Sequence, residues 1–224
     1  MGFSESAGIN NVMPVLTISG HSRKVGKTSI AEGLITALPE YVWTALKVSS
    51  HRHSGNFEGT AKDCVVIEET DREGGNDTSR FLKAGACRAF WVQAERIEAA
   101  VPAVRAILEN SPYVLIEGNS VLDFIAADFS ILVLNHGVDE FKKSARGILS
   151  RIDALVIIRN STEFMPVSQN QAAGLMVHEG APPPDGAKWE NLLESVPENI
   201  PRFETGNPRD IPRALTELLR SYLS

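Results

Sequence analysis

A single-domain α/β fold, a mostly parallel sheet with helices on both faces, is the class this sequence predicts. Three observations carry that expectation: β-rich runs alternate with helical patterns, two of the runs are apolar without interruption, and a strand–loop–helix unit lies near the N-terminus. The length of 224 residues suits one substantial core. A flexible leader at 1–11 and one folded unit at 12–224 are expected.

The elements follow in order. Val12 to Ser19 (VMPVLTIS) reads as a buried strand, and Thr28 to Leu38 carries helical spacing at Ile30, Leu34, Ile35 and Leu38. Tyr41 to Val48 is β-rich, and Cys64 to Ile67 makes a further short strand. After the glycine-rich loop REGGND, Asn76 or Asp77 caps a helix (DTSRFLKAGA) that Gly85 closes before the strand CRAFWVQA. Ala94 to Glu109 forms a helix with Ile97, Val101, Val104 and Leu108 on one face. YVLIEG (Tyr113 to Gly118) and SILVLN (Ser130 to Asn135) lack a solvent face and belong mid-sheet. A helix over Glu140 to Arg151 leads to the strand DALVIIRN, APPPDG breaks the chain into a loop, and Ile211 to Leu223 is the last helix.

Charge and cysteine usage narrow the function classes. A net charge of −6 repels nucleic acid and anionic lipid at long range, so neither is an expected partner, and any anionic ligand needs a local basic site. Cys64 and Cys87 form no metal-ligand spacing or disulfide framework, and Cys87 reads as a buried thiol. With no apolar run near the roughly 18 residues of a membrane span, a cytoplasmic setting is expected.

The local basic site is in TISGHSRKVGKTSI, where Gly26-Lys27-Thr28 stands at a strand-to-helix junction. In that context backbone N–H groups and the helix N-terminus converge on one anion, Lys27 adds positive charge, and Thr28 offers a hydroxyl to Mg²⁺. The expected phosphate-binding set is Gly20, Ser22, Arg23, Lys24, Val25, Gly26, Lys27, Thr28 and Ser29. Five residues, one more than the common pattern, separate Gly20 from Gly26, and the loop centre is Arg23-Lys24. Those two cations either reach a second phosphate or stand solvated.

The Gly-x5-Gly-Lys-Thr spacing, with Val25 before the glycine, resembles the phosphate loop of dethiobiotin synthetase and its relatives in the SIMIBI class of P-loop NTPases. That resemblance implies a catalytic, phosphate-contacting Lys47 beside Lys27, a Mg²⁺-holding Glu117 beside Thr28, and a base-contacting Asn160. A second resemblance is to the molybdopterin-guanine dinucleotide biosynthesis protein B family. Lys47 with His51 and His53, Asp77-x-Ser79-Arg80 followed by Ala84 to Ala86, and the strand-terminal Glu117-Gly118 carry it. Asn119-Ser120 replaces that family's usual Phe-Lys.

These readings imply binding and slow hydrolysis of GTP or ATP with Mg²⁺. The second family implies support of guanine nucleotide attachment to molybdopterin, with a molybdopterin nucleotidyltransferase as partner; analogy extends to a homodimer. Two alternatives stand beside it: an ATP-dependent small-molecule synthetase, and a nucleotide-gated binding module whose switch lies in loops 49–62 and 70–77. His51 and His53 share a face if extended, as in a metal site, or belong to a polar loop.

Overall fold

The computed structural model describes residues 14–50, 63–138, 140–159, 193 and 196–223. The 1–11 leader, His51, His53, Asn160 and the APPPDG loop lie outside them. Among the described residues eight strands form one sheet: β1 (Val15–Gly20), β2 (Trp43–Ser49), β3 (Cys64–Glu69), β4 (Arg88–Ala94), β5 (Tyr113–Glu117), β6 (Phe129–Asn135), β7 (Ala154–Ile158) and β8 (Arg202–Thr205). Their order is β3-β4-β2-β5-β1-β6-β7-β8, and every pair is parallel except β3 with β4. The uninterrupted apolar runs in β5 and β6 flank β1, where both faces are covered, as their composition requires.

Strand alternation divides the core. On one face Leu16, Ile18, Ile131 and Val133 pack with Ile30 and Leu34 of α1 (Lys27–Ala37), Phe81 of α2 (Asp77–Ala84), and Leu215 and Leu219 of the C-terminal α5 (Arg213–Leu223). On the other, Val114 and Ile116 pack with Val104 of α3 (Val101–Leu108), while Leu132 and Leu134 meet Ile148 and Ile152. Successive residues of β6 thus serve opposite layers, the period of two that defines a strand. No helix among the described residues is long and apolar enough to cross a membrane.

Several expectations need correction. The helix expected over Ala94 to Glu109 is a 3₁₀ turn at Ile97–Ala100 followed by α3. Ala94 is still in β4, and Pro102 lacks the N–H that a helix interior needs, so it fits the first helical turn. The helix expected over Glu140 to Arg151 shrinks to α4 (Lys143–Arg146) and a 3₁₀ turn at Leu149–Arg151. Gly147 separates them, and the amides of Ala145, Ile148 and Arg151 bond three residues back, to Lys142, Ala145 and Ile148. Cys87 is exposed, because it occupies the turn between α2 and β4. Strand β8 was not anticipated: its four residues, RFET, form no apolar run, as befits a partly exposed strand at the edge of the sheet.

Candidate functional site: a phosphate cleft at the β1–α1 junction

Beyond β1, the chain must turn back on itself and start α1 within a few residues. Gly20 makes the close approach possible: a Cβ there would lie 2.6 Å from Val25 Cγ2 and 2.9 Å from Lys27 Cγ and Cδ. Asn119 fixes the same residue from across the sheet, accepting from the Gly20 amide at 2.9 Å and donating to its carbonyl at 2.7 Å. Gly26 caps α1 with φ 98°, a left-handed conformation that glycine adopts without penalty. Among the described residues no side chain caps α1, and its first turn holds no acidic residue. The first amides of α1 and the positive end of its dipole therefore face the loop, which is the arrangement that receives an anion.

His21 anchors the loop from below. Its buried ring lies 2.9 Å from the Val138 carbonyl through Nε2 and stacks on Phe141 at 5.9 Å between centroids. Burial pushes the imidazole pKa below its ordinary value, against the pull of the Val138 and Val133 carbonyls. Ser22, also buried, donates its hydroxyl to Glu140 at 2.7 Å, and its carbonyl accepts from Lys27 Nζ at 3.0 Å. Burial holds the Lys27 pKa below the usual lysine range, and Glu117 opposes that fall.

Glu117 is the centre of the polar cluster. It ends β5 and pairs in register with Lys47 of β2, so the two side chains emerge on one face of the sheet. Its carboxylate is 1% exposed, accepts from the Thr28 hydroxyl at 2.8 Å, and takes a second, short bond from the Lys47 ammonium. Lys47 also reaches Asp77 at 3.0 Å. Burial alone would lower the Lys47 pKa; the two carboxylates outweigh it and move the pKa upward.

Arg80 completes the rim. It grips the Glu32 carboxylate through two bonds of 2.9 and 2.7 Å and donates to Ser29 at 3.1 Å, while Arg209 reaches the same carboxylate at 3.0 Å. The loop before α2 is held from Glu69, whose carboxylate accepts from the amides of Thr70 and Asp71 and from Asn76 and Thr78. Asn76 in turn caps α2 through the Ser79 amide.

These groups enclose a cleft of about 440 Å³, lined by residues 23–29 together with Lys47, Asp77, Arg80 and Glu117. Residues 23–29, Lys47 and Glu117 of the expected set thus come together. Gly20 and Ser22 shape the loop from beneath rather than lining the cleft, and Ser79 is buried behind it. Asn160 lies outside the described residues. Asn119 and Glu140, which position the loop, were not anticipated; Asn119 was visible only as a departure from a family pattern. Among the described residues no group of three His, Cys, Asp or Glu side chains is placed to hold a metal ion; the oxygen-bearing side chains that line the cleft are those of Glu117, Thr28, Ser29 and Asp77.

No family model matches the sequence, and no curated protein matches it. Solved structures do. The crystal structure of HypB from Helicobacter pylori in complex with nickel aligns over 95% of this chain and 88% of its own, with 15% identity and a TM-score of 0.52. Hydrogenase maturation factor HypB from Archaeoglobus fulgidus aligns over 96% and 92%, with 13% identity and a TM-score of 0.53. At such identities the likeness is one of architecture, and it agrees with the sheet described above: the chain has a single-domain α/β fold, a mostly parallel sheet with helices on both faces, of the kind these structures share.

Proposed function

We propose that the chain binds the Mg²⁺ complex of a purine nucleoside triphosphate, GTP first, in the β1–α1 cleft and hydrolyses it slowly in support of a partner. The observation that carries this reading is the uncapped N-terminus of α1 set against Lys27 and the Thr28–Glu117–Lys47 cluster. The amides of residues 22–28 cradle the phosphates, and Lys27, Arg23 and Lys47 offset their charge. Thr28 and Glu117 supply hard oxygen donors of the kind Mg²⁺ takes, and Glu117 already accepts a cation, the Lys47 ammonium. Bound there, the metal neutralises phosphate charge.

The narrower reading is support of guanine nucleotide attachment to molybdopterin, beside a nucleotidyltransferase. It rests on Lys47, Asp77 and Arg80, three residues of that family's motifs that line the cleft. The loop spacing, Gly-x5-Gly-Lys-Thr, favours instead an ATP-dependent synthetase. Calorimetry with GTP and ATP, each with and without Mg²⁺, separates them. GTP preference supports the first, and ATP preference the second. In Lys27→Ala the affinity is expected to fall roughly 100-fold, the loss of a charge-assisted phosphate contact of about 3 kcal/mol. A Lys27→Ala variant that binds like wild type would end the reading.

A further inference from the structure

A second cavity, of about 270 Å³, adjoins the phosphate cleft. Lys47 and Asp77 line both spaces, so the two are neighbours across one ion pair. Ser49, Asn76, Thr78 and Trp91 complete the second. Trp91 is the register partner of Lys47, and its indole N–H donates to the Ser49 hydroxyl at 3.3 Å. Asn76 and Thr78 are engaged with each other and with Glu69. The indole is therefore the large apolar surface of the cavity, and Asp77, 38% exposed, is its ionisable oxygen donor. Beside it, Gln93, the register partner of Ser49, is 3% exposed, and among the described residues neither of its amide atoms has a hydrogen-bond partner.

We propose that this cavity is an acceptor pocket, taking a small neutral alcohol with a flat apolar body and placing its hydroxyl beside the terminal phosphate held in the adjoining cleft. The proposal rests on the nucleotide reading above and makes the chain a phosphotransferase. With the Lys47 ammonium drawn toward the phosphates, Asp77 is the charged group left in the lining and disfavours an anionic acceptor by like-charge repulsion, whereas an indole wall suits a ring. Benzene fills an engineered cavity of about 150 Å³, so a substituted single ring fits the space here. In the reaction the acceptor oxygen bonds to the terminal phosphorus, and the bond from that phosphorus to the bridging oxygen breaks. The electron pair leaves with the nucleoside diphosphate, and the hydroxyl proton passes to the Asp77 carboxylate. Phosphates compete for the Lys47 ammonium, and its release leaves Asp77 with the longer contact to Arg80 at 3.5 Å and an oxygen able to accept that proton.

Benzyl alcohol is the probe. Titrated into the full chain, it is expected to shift the indole N–H resonance of Trp91, identified by its absence in Trp91→Phe. With nucleotide and Mg²⁺ present, ³¹P NMR is expected to show benzyl phosphate beside inorganic phosphate. Ser49→Trp, which fills the cavity from outside the phosphate cleft, is expected to lower benzyl phosphate about tenfold or more while calorimetry still records nucleotide binding. Asp77→Asn is expected to abolish the transfer. Bound nucleotide that releases only inorganic phosphate, with the Trp91 indole unmoved or moved, overturns the proposal and leaves the nucleotide reading standing. Absence of nucleotide binding in the wild-type chain overturns both.

Discussion

Replacing Lys47 by methionine removes the ammonium that Glu117 and Asp77 share while keeping most of the apolar stem. Glu117, 1% exposed, is then left with the Thr28 hydroxyl at 2.8 Å. Breaking a fully buried pair by deleting one partner costs about 3–5 kcal/mol, because a charge stays buried without compensation. Lys47 is 22% exposed, so water screens part of the pair and the lower figure, about 3 kcal/mol, applies. For a chain of this length each kcal/mol moves the thermal midpoint by about 2–4 °C, which gives a fall of roughly 6–12 °C. Thermal unfolding followed by circular dichroism measures it. Glu117→Gln in the Lys47→Met background is expected to recover part of the loss, since it removes the stranded charge. Mg²⁺ is expected to raise the midpoint of Lys47→Met more than that of wild type, by supplying another cation to Glu117. A Lys47→Met midpoint within about 2 °C of wild type, or single effects that add within about 0.5 kcal/mol in the double-mutant cycle, would refute the account of Glu117 as a carboxylate dependent on that ammonium.

Other expectations follow from the same geometry. Gly26→Ala forces a side chain into φ 98° with its Cβ 2.7 Å from the Ile158 Cδ1 methyl; a loss of about 1–2 kcal/mol in urea unfolding is expected, with weakened nucleotide binding by calorimetry. Arg80→Ala and Arg209→Ala each leave Glu32, 11% exposed, with one guanidinium, so the double variant is expected to lose about 1 kcal/mol more than the sum of the singles. The Glu69 carboxyl is held at about 2 by the Asp71 amide, with Asn76 and Thr78 assisting, against an ordinary 4.5. Since the folded value is the lower, its stabilisation is full above 4.5 and is lost as the pH falls from there toward 2. Amide exchange at Thr70 and Asp71 is expected to accelerate over that window in wild type and to be independent of pH in Glu69→Gln after the intrinsic rate is removed.

Much of the cleft was legible because its signals are local. Gly26-Lys27-Thr28 lies between a strand and a helix within a dozen residues, and Glu117 ends an apolar run that belongs mid-sheet. The apolar spacing of α1 and the cap-to-glycine span of α2 likewise act within one element. The parts that escaped join residues far apart in the chain. Ser22 meets Glu140 and Arg209 meets Glu32 across separations of 118 and 177 residues, and neither pair carries a spacing signal. The helix expected over Glu140 to Arg151 failed on a local conflict instead, with Gly147 placed between the two shorter turns.

By itself the sequence determined the strand–loop–helix unit at residues 15–37 with its glycine-lysine junction, and the mid-sheet place of β5 and β6, since apolar runs and a helix start act through neighbouring residues. Tertiary structure alone decided that β3 runs antiparallel at one edge and that RFET forms the other. It also decided that Asn119 clamps Gly20, and that one ammonium binds Glu117 and Asp77 between two adjoining cavities. The reason is physical: strand order and buried charge pairing are set by satisfying backbone groups and ionised side chains across the whole sheet, and no stretch of chain carries both partners of such a bond.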